Sequence, residues 1–392
     1  AEEVDLLKKA LVDDSKHYLH FRYRLESVDQ DGLAENALAS TLRSSLGYQT
    51  GSIHGFSGTV EFQNVAGLGA ERYNDTINGK TRYPVVADPE QTTVNKLFLS
   101  YSGVPDTVVS FGRQLYNFDN MRFVNDNEWR QHHQSYDSLS IVNKSLADTT
   151  LTYVYTYQLN LSNGNDFSTG TRDVDFHFLN GKYSGWKYGS FVGYAYLLDY
   201  DLASLSSSAS QSYGLRFNGK APLVDTYNAL YTAEYAHQTD YGNNPANYNA
   251  GYYLGELGVG EENWSLLLGY EVLQADGANG VFNTPLFSAH AFHGWADKFT
   301  SIPANGIVDK HIKASYTLKT KDYEVLNGLK FDARYHQFDA EQGGADYGSE
   351  VDFQISKNFM ERYSAALVYA DYNADSFATD TQKIYFMLGA KF

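Results

Sequence analysis

The chain contains no cysteine. Disulfides, thiolate metal sites and thioether-linked haem are therefore excluded. Proline is scarce, 7 in 392 residues, whereas glycine numbers 33, a balance expected of many strands joined by turns. No apolar run approaches the roughly 18 residues of a transmembrane helix, which excludes a helical membrane protein. Basic residues are outnumbered, 30 against 47 acids, leaving a net charge of −17. That argues against a nucleic-acid partner and fits acidic surface loops. Also missing are a Gly-Xaa-Ser-Xaa-Gly elbow, a His-Glu-Xaa-Xaa-His pair and a phosphate-binding glycine loop, so no cofactor and no enzyme activity are expected. The opening Ala1-Glu2-Glu3 carries no basic, apolar region and reads as the start of a mature chain.

Aromatic residues are abundant, at 15% with 33 Tyr and 23 Phe. Tyrosine suits both an interfacial girdle and a polar lumen. The last stretch alternates: Ile384, Phe386, Leu388, Ala390 and Phe392 on one phase, Tyr385, Met387, Gly389 and Lys391 on the other. Period 2 is the mark of a strand with one apolar face. A soluble sheet ending on such a strand would leave an open edge. A barrel pairs its last strand with its first, and a terminal Phe392 suits an outer-membrane assembly signal.

The alternation recurs along the chain. Leu19, Phe21, Tyr23 and Leu25 oppose His20, Arg22, Arg24 and Glu26; Phe331, Ala333 and Tyr335 oppose Lys330, Asp332, Arg334 and His336. Eighteen such segments predict an all-β fold: a transmembrane antiparallel β-barrel of 18 strands with both termini periplasmic. Residues 1–16 form a short N-terminal periplasmic segment, helical over 4–15, and residues 17–392 a single barrel. The predicted connections sort by parity. The longest, 65–91, 114–137 and 274–308, are all odd and hence extracellular; the even ones, such as 103–106 and 180–186, are short.

A charge on the lipid face costs a few kcal/mol near the midplane, so charges opposite the apolar stripes are expected in the lumen. The basic set is Arg22, Arg24, Arg43, Lys96, Arg216, Lys330 and Arg334; the acidic set includes Glu26, Glu61, Asp173, Asp175, Glu234, Asp332, Glu350 and Asp352. Asp173 and Asp175 enter because Val174, Phe176 and Phe178 are assigned to lipid, as are Val192, Tyr194 and Tyr196. The charges either form opposed basic and acidic walls or pair with cross-strand neighbours. His132 and His133 are adjacent and diverge on an extended chain, a poor metal pair. His290 and His293 read as loop packing, and no metal site is expected.

Phe111-Gly112-Arg113-Gln114, Asn120-Met121-Arg122-Phe123-Val124 and Glu128-Trp129-Arg130-Gln131 form a more specific pattern. With Arg24–Gln30 and Phe292–Phe299, it resembles the alginate-export family of bacterial outer-membrane porins. The resemblance implies a monomeric 18-stranded barrel passing an acidic polysaccharide or similar solute, with Arg113, Arg122 and Arg130 at the constriction. Arg113 shares a phase with Phe111, so a bulge is needed to turn it inward. Export barrels of this family can carry a long periplasmic plug loop, and none is present here, which leaves uptake of smaller solutes equally open.

The leading expectation is thus an outer-membrane channel for hydrophilic, anionic solutes such as acidic oligosaccharides. A general diffusion porin, a barrel-based enzyme and a docking sleeve are the alternatives. Lipid, lipopolysaccharide and the barrel-assembly machinery are the expected partners. The loop 114–137 is predicted to bend into the barrel, with Arg122 or Arg130 meeting lumen carboxylates or the solute.

Overall fold

The computed structural model describes residues 2–69 and 71–392; Ala1 of the predicted N-terminal segment lies outside them. Its strands are β1 (Lys16–Gln30), β2 (Ala37–Gln49), β3 (Phe56–Gly67), β4 (Gln91–Val104), β5 (Thr107–Gln114) and β6 (Ser135–Asn143). There follow β7 (Thr149–Asn160), β8 (Thr171–Trp186), β9 (Gly189–Tyr200), β10 (Ser210–Pro222), β11 (Asn228–Asp240) and β12 (Asn249–Gly260). The last are β13 (Trp264–Leu273), β14 (Ile307–Thr317), β15 (Lys330–Asp339), β16 (Asp346–Phe359), β17 (Tyr363–Ala374) and β18 (Thr381–Lys391).

Each strand pairs antiparallel with its neighbours in sequence, and β1 pairs with β18 from His20↔Lys391 to Gln30↔Thr381. Phe392 adds reciprocal backbone bonds to Leu19 at 2.9 and 3.0 Å. Among the described residues no strand edge remains, which is how a sheet can meet lipid with its ladder groups paired. The even connections include tight turns, such as residues 105–106 and 187–188, and reach their greatest length at 318–329; the odd ones include the longer loops 68–90, 115–134 and 274–306. A helix, α1 (Glu2–Lys8), runs on through a wider turn to Asp13. It docks at the turn end through Gly51 N–H to Ala10 O (2.7 Å) and Tyr48 Oη to Leu11 O (2.6 Å).

The exterior is apolar: Leu97, Leu215, Leu257, Leu268, Phe353 and Ile384 are all exposed. Two aromatic belts flank it, as interfacial anchoring requires. At the turn end Phe56 packs on Tyr101, and Trp186, Phe191, Phe217 and Tyr231 form a continuous stack. Nearer the loop end Tyr213, Tyr235, Tyr253, Tyr270 and Tyr335 are exposed.

The buried core lies inside the barrel. Tyr136, Phe176, Phe178, Tyr194, Tyr196, Tyr252, Trp295, Phe299, Phe338 and Tyr385 belong to one cluster, with Phe118 and Phe123 packed against it. This reverses the predicted phase of β8 and β9. Val174, Phe176, Phe178, Val192, Tyr194 and Tyr196 are buried and face inward, where loop 115–134 covers them. The predicted connection 180–186 is likewise strand: β8 pairs through Asn180↔Tyr194 and Tyr183↔Phe191. Its Asn-Gly-Lys-Tyr-Ser-Gly composition imitates a turn, but cross-strand partners on β9 carry it onward.

Candidate functional site

Three long loops leave the rim and fold into the lumen. Loop 115–134 is held by arginines of β1, Arg22 and Arg24, whose alternate positions share the inward face. Arg22 donates from Nε to Gln131 Oε1 (3.0 Å) and from its terminal nitrogens to the carbonyls of Glu128 (2.7 Å), Trp129 and Arg130. Arg24 donates to the Trp129 carbonyl, lies 3.5 Å from Asp88 and places its guanidinium 4.3 Å above the Trp129 ring. Arg43 reaches Glu128 at 3.7 Å and His133 at 3.4 Å. The β1 and β2 cations therefore clasp the loop tip.

Arg130 closes the arrangement, pairing with Glu26 at 3.1 Å and Asp88 at 3.7 Å. Burial alone would raise the Asp88 carboxyl, but Arg130 and Arg24 hold it below its ordinary range. Gln131 N–H also donates to Asp88 at 2.7 Å. On the other side of the barrel, Arg122 is fully buried, 3.1 Å from Glu271 and 3.2 Å from His293. Loop 115–134 thus spans the lumen from β1 to β13.

Loop 274–306 meets it from the opposite wall. Val124 and Leu286 form a parallel bridge, and His290 stacks on Trp129 with ring centroids 3.4 Å apart. Ala296 N–H donates to Glu350 (2.6 Å) and Trp295 N–H to Asp352 (3.4 Å). His290 bonds Asp297 at 3.1 Å, and Asp297 pairs with Lys383 at 3.0 Å. Burial pushes the His290 imidazole down to about 4, with Asp297 opposing. The ring is therefore neutral at pH 7.

Two cavities flank the loop tip. The one toward the loop end, about 720 Å³, is lined by Trp129, Arg130, Asp297, Lys298 and Lys383. The one toward the turn end, about 640 Å³, is lined by Arg22, Arg43, Lys96, Glu61, His133 and Trp129. Trp129 lines both, so the 128–131 segment stands between them.

Other predicted lumen residues fall as follows. Lys96 pairs with its cross-strand partner Glu61 at 2.9 Å, and Arg216 with Glu234 at 2.5 Å. Lys330 pairs with Asp332 at 2.9 Å near the turn end. Arg334 faces Trp295, 4.6 Å from the ring, and Asp352 is buried under the same loop. Local pairing, not opposed walls, is the dominant pattern.

Three expectations are corrected. Arg113 stays in phase with exposed Phe111 and forms a two-pronged pair with Asp137, at 2.6 and 2.8 Å, on the outer face near the rim. The bulge needed to turn it inward is absent, since β5 pairs in unbroken register with β6 from Thr107 to Gln114. Asp173 and Asp175 are exposed at the loop end of β8, on the face opposite Phe176. Sequence reasoning missed Asp88, Asp297, Lys383 and Glu271. Lys383 shares the inward phase of Tyr385 and could have been found; Asp88 and Asp297 lie in loops, where no periodicity exists.

A closed barrel with an apolar, aromatic-belted exterior and loops folded into a charged lumen is an outer-membrane porin. The chain belongs to the alginate-export family, whose model matches residues 18–342. Its fold is similar to Acinetobacter baumannii OccAB4, with a TM-score of 0.74 at 14% identity over 97% of this chain and 98% of that one. It is also similar to Pseudomonas aeruginosa OpdK solved with vanillate (TM-score 0.74, 14% identity, 97% and 99% covered) and to P. aeruginosa OpdL (0.72, 16%, 97% and 99%). A sequence search of curated proteins finds no match.

Proposed function

We propose that this porin passes small hydrophilic anions, uronates and short acidic oligosaccharides among them, without catalysing a reaction. The turn end faces the periplasm, and the barrel works as a monomer. The observation that carries the reading is the set of arginines lining the two cavities, Arg22 and Arg43 toward the turn end and Arg130 toward the loop end. Guanidinium groups bind carboxylates in a two-pronged way. The cavities, about 720 and 640 Å³, accommodate a few sugar units at a time. The similar barrel OpdK was solved with vanillate, a carboxylate. Phe392, exposed beside the β1–β18 seam, is the contact offered to the assembly machinery, and the outer-leaflet belt is offered to lipopolysaccharide.

Liposome swelling tests this directly. Glucuronate should enter faster than glucose, and the excess should shrink at high salt as the arginines are screened. Equal rates for the two solutes would remove the anionic reading while keeping a general pore. No current in planar bilayers would remove the channel reading altogether.

A further inference from the structure

A second polar cluster lies on β14 and β15, away from the arginine row of β1 and β2. Asp309 and His311 stand two apart on β14, so they share the inward face. His336 on β15 is the cross-strand partner of His311. All three side chains are buried. His336 Nδ1 lies 2.9 and 3.0 Å from the two carboxylate oxygens of Asp309, and His311 Nδ1 lies 3.5 Å from one of them. Both rings thus turn the same nitrogen toward one carboxylate.

The outer edge of the His311 ring is engaged elsewhere. His311 Nε2 is 3.2 Å from Glu256, which is also bound by Lys313 at 2.9 Å. A carboxylate only accepts, so this Nε2 carries a hydrogen, and in the neutral ring Nδ1 is left with a lone pair. That Nδ1 is buried with no hydrogen-bond partner. A lone pair facing a carboxylate needs a cation between them. Among the described residues, the ion-pair partners of Asp309 are the two histidines alone. The neighbouring acid Glu271 differs, since Arg122 already neutralises it at 3.1 Å.

Two further features complete the site. Gly269 on β13 faces His311, and a Cβ there would strike the imidazole. A cavity of about 170 Å³ opens beside Asp309, His311 and His336, which leaves room for a water ligand. We infer that Asp309, His311 and His336 bind one divalent metal ion of the zinc, cobalt or nickel class. Two imidazoles and one carboxylate suit such borderline ions, whereas calcium and magnesium demand more oxygen donors. Glu256 is the carboxylate that orients a metal-bound histidine, a recurring outer partner.

Cobalt titration of the folded, tag-free, chelator-stripped protein in detergent tests the site. One equivalent of Co²⁺ should produce the visible d–d absorption of a low-coordinate site, and Zn²⁺ should abolish it. The double variant His311→Ala, His336→Ala should lose the band. Glu256→Gln keeps all three ligands and should weaken Co²⁺ about 10–100-fold, so it serves if the double variant does not fold. A folded wild-type barrel that binds no Co²⁺ would mean that a proton fills the gap, and would overturn the assignment. A band surviving in the folded double variant, or an unchanged affinity in Glu256→Gln, would overturn it as well.

Discussion

Arg130 and Arg113 look alike in the sequence and occupy opposite faces of the wall. Arg130 sits between Glu26 and Asp88 in the lumen, while Arg113 grips Asp137 on the outside. Replacing Arg130 by Ala leaves two buried carboxylates short of a cation, a defect typically worth about 3–5 kcal/mol. The expected result is a reversal potential in a salt gradient that moves toward cation preference, together with a noisier current from a loosened loop. Arg113→Ala should leave the reversal potential unchanged. If the two variants shift it equally, Arg113 reaches the lumen and the outward placement is wrong.

His290 supplies a pH dependence. It stacks on Trp129 and faces Asp297, with Lys383 and Arg130 adding positive charge nearby. Its folded-state value of about 4 lies below the unfolded value of 6.5. A depressed histidine favours docking above pH 6.5, and that contribution is lost as pH falls from 6.5 toward 4. The full loss is about 3 kcal/mol. Spontaneous closing steps in bilayer recordings should therefore become more frequent below about pH 6, and His290→Gln should flatten that rise. An identical pH profile in the variant would separate His290 from the gating.

At the scale of elements, the loops decide what the strands surround. Loop 274–306 turns at Gly294, with φ +83°, directly over the Glu350 carboxylate that accepts the Ala296 N–H. A Cβ at this position meets that carboxylate, and the left-handed backbone disfavours any L side chain. Gly294→Ala should undock the loop and raise single-channel conductance, while heat-modifiable migration of the folded barrel persists. Unchanged conductance would show that the loop does not limit the pore. The inward bend of 115–134 was legible in its polar anchors, because Arg122, Arg130, Trp129, Asp119, Asp126 and Glu128 are too many for a flexible tip. Its partners were not legible, since Glu271, Asp88 and His290 come from distant segments.

Strands β8 and β9 show where pattern reading stops. Both faces carry apolar residues, with Phe191 and Leu179 outside and Phe176 and Tyr194 inside. Alternation reports that a strand has two faces; it does not report which one meets lipid when the lumen is also filled. Asp173 and Asp175 were assigned to the pore for this reason. Asp173→Asn with Asp175→Asn should leave conductance and selectivity at wild-type values; a shift in reversal potential would return them to the permeation path.

For the molecule as a whole, the sequence alone settled the barrel. Period-2 alternation in eighteen segments and the parity of connection lengths together point to a closed antiparallel sheet, because lipid leaves no water for an open edge. The observed order, with β1 beside β18, is that sheet. Which charges work in the pore was decided only by tertiary structure. Arg130, Asp88 and His290 belong to loops with no periodicity, and they meet only after three rim segments fold inward. Asp309, His311 and His336 were brought together by strand register, with a pairing that no local pattern encodes. Strand phase is a local property of the chain, whereas a lumen site is made of contacts between segments far apart in sequence.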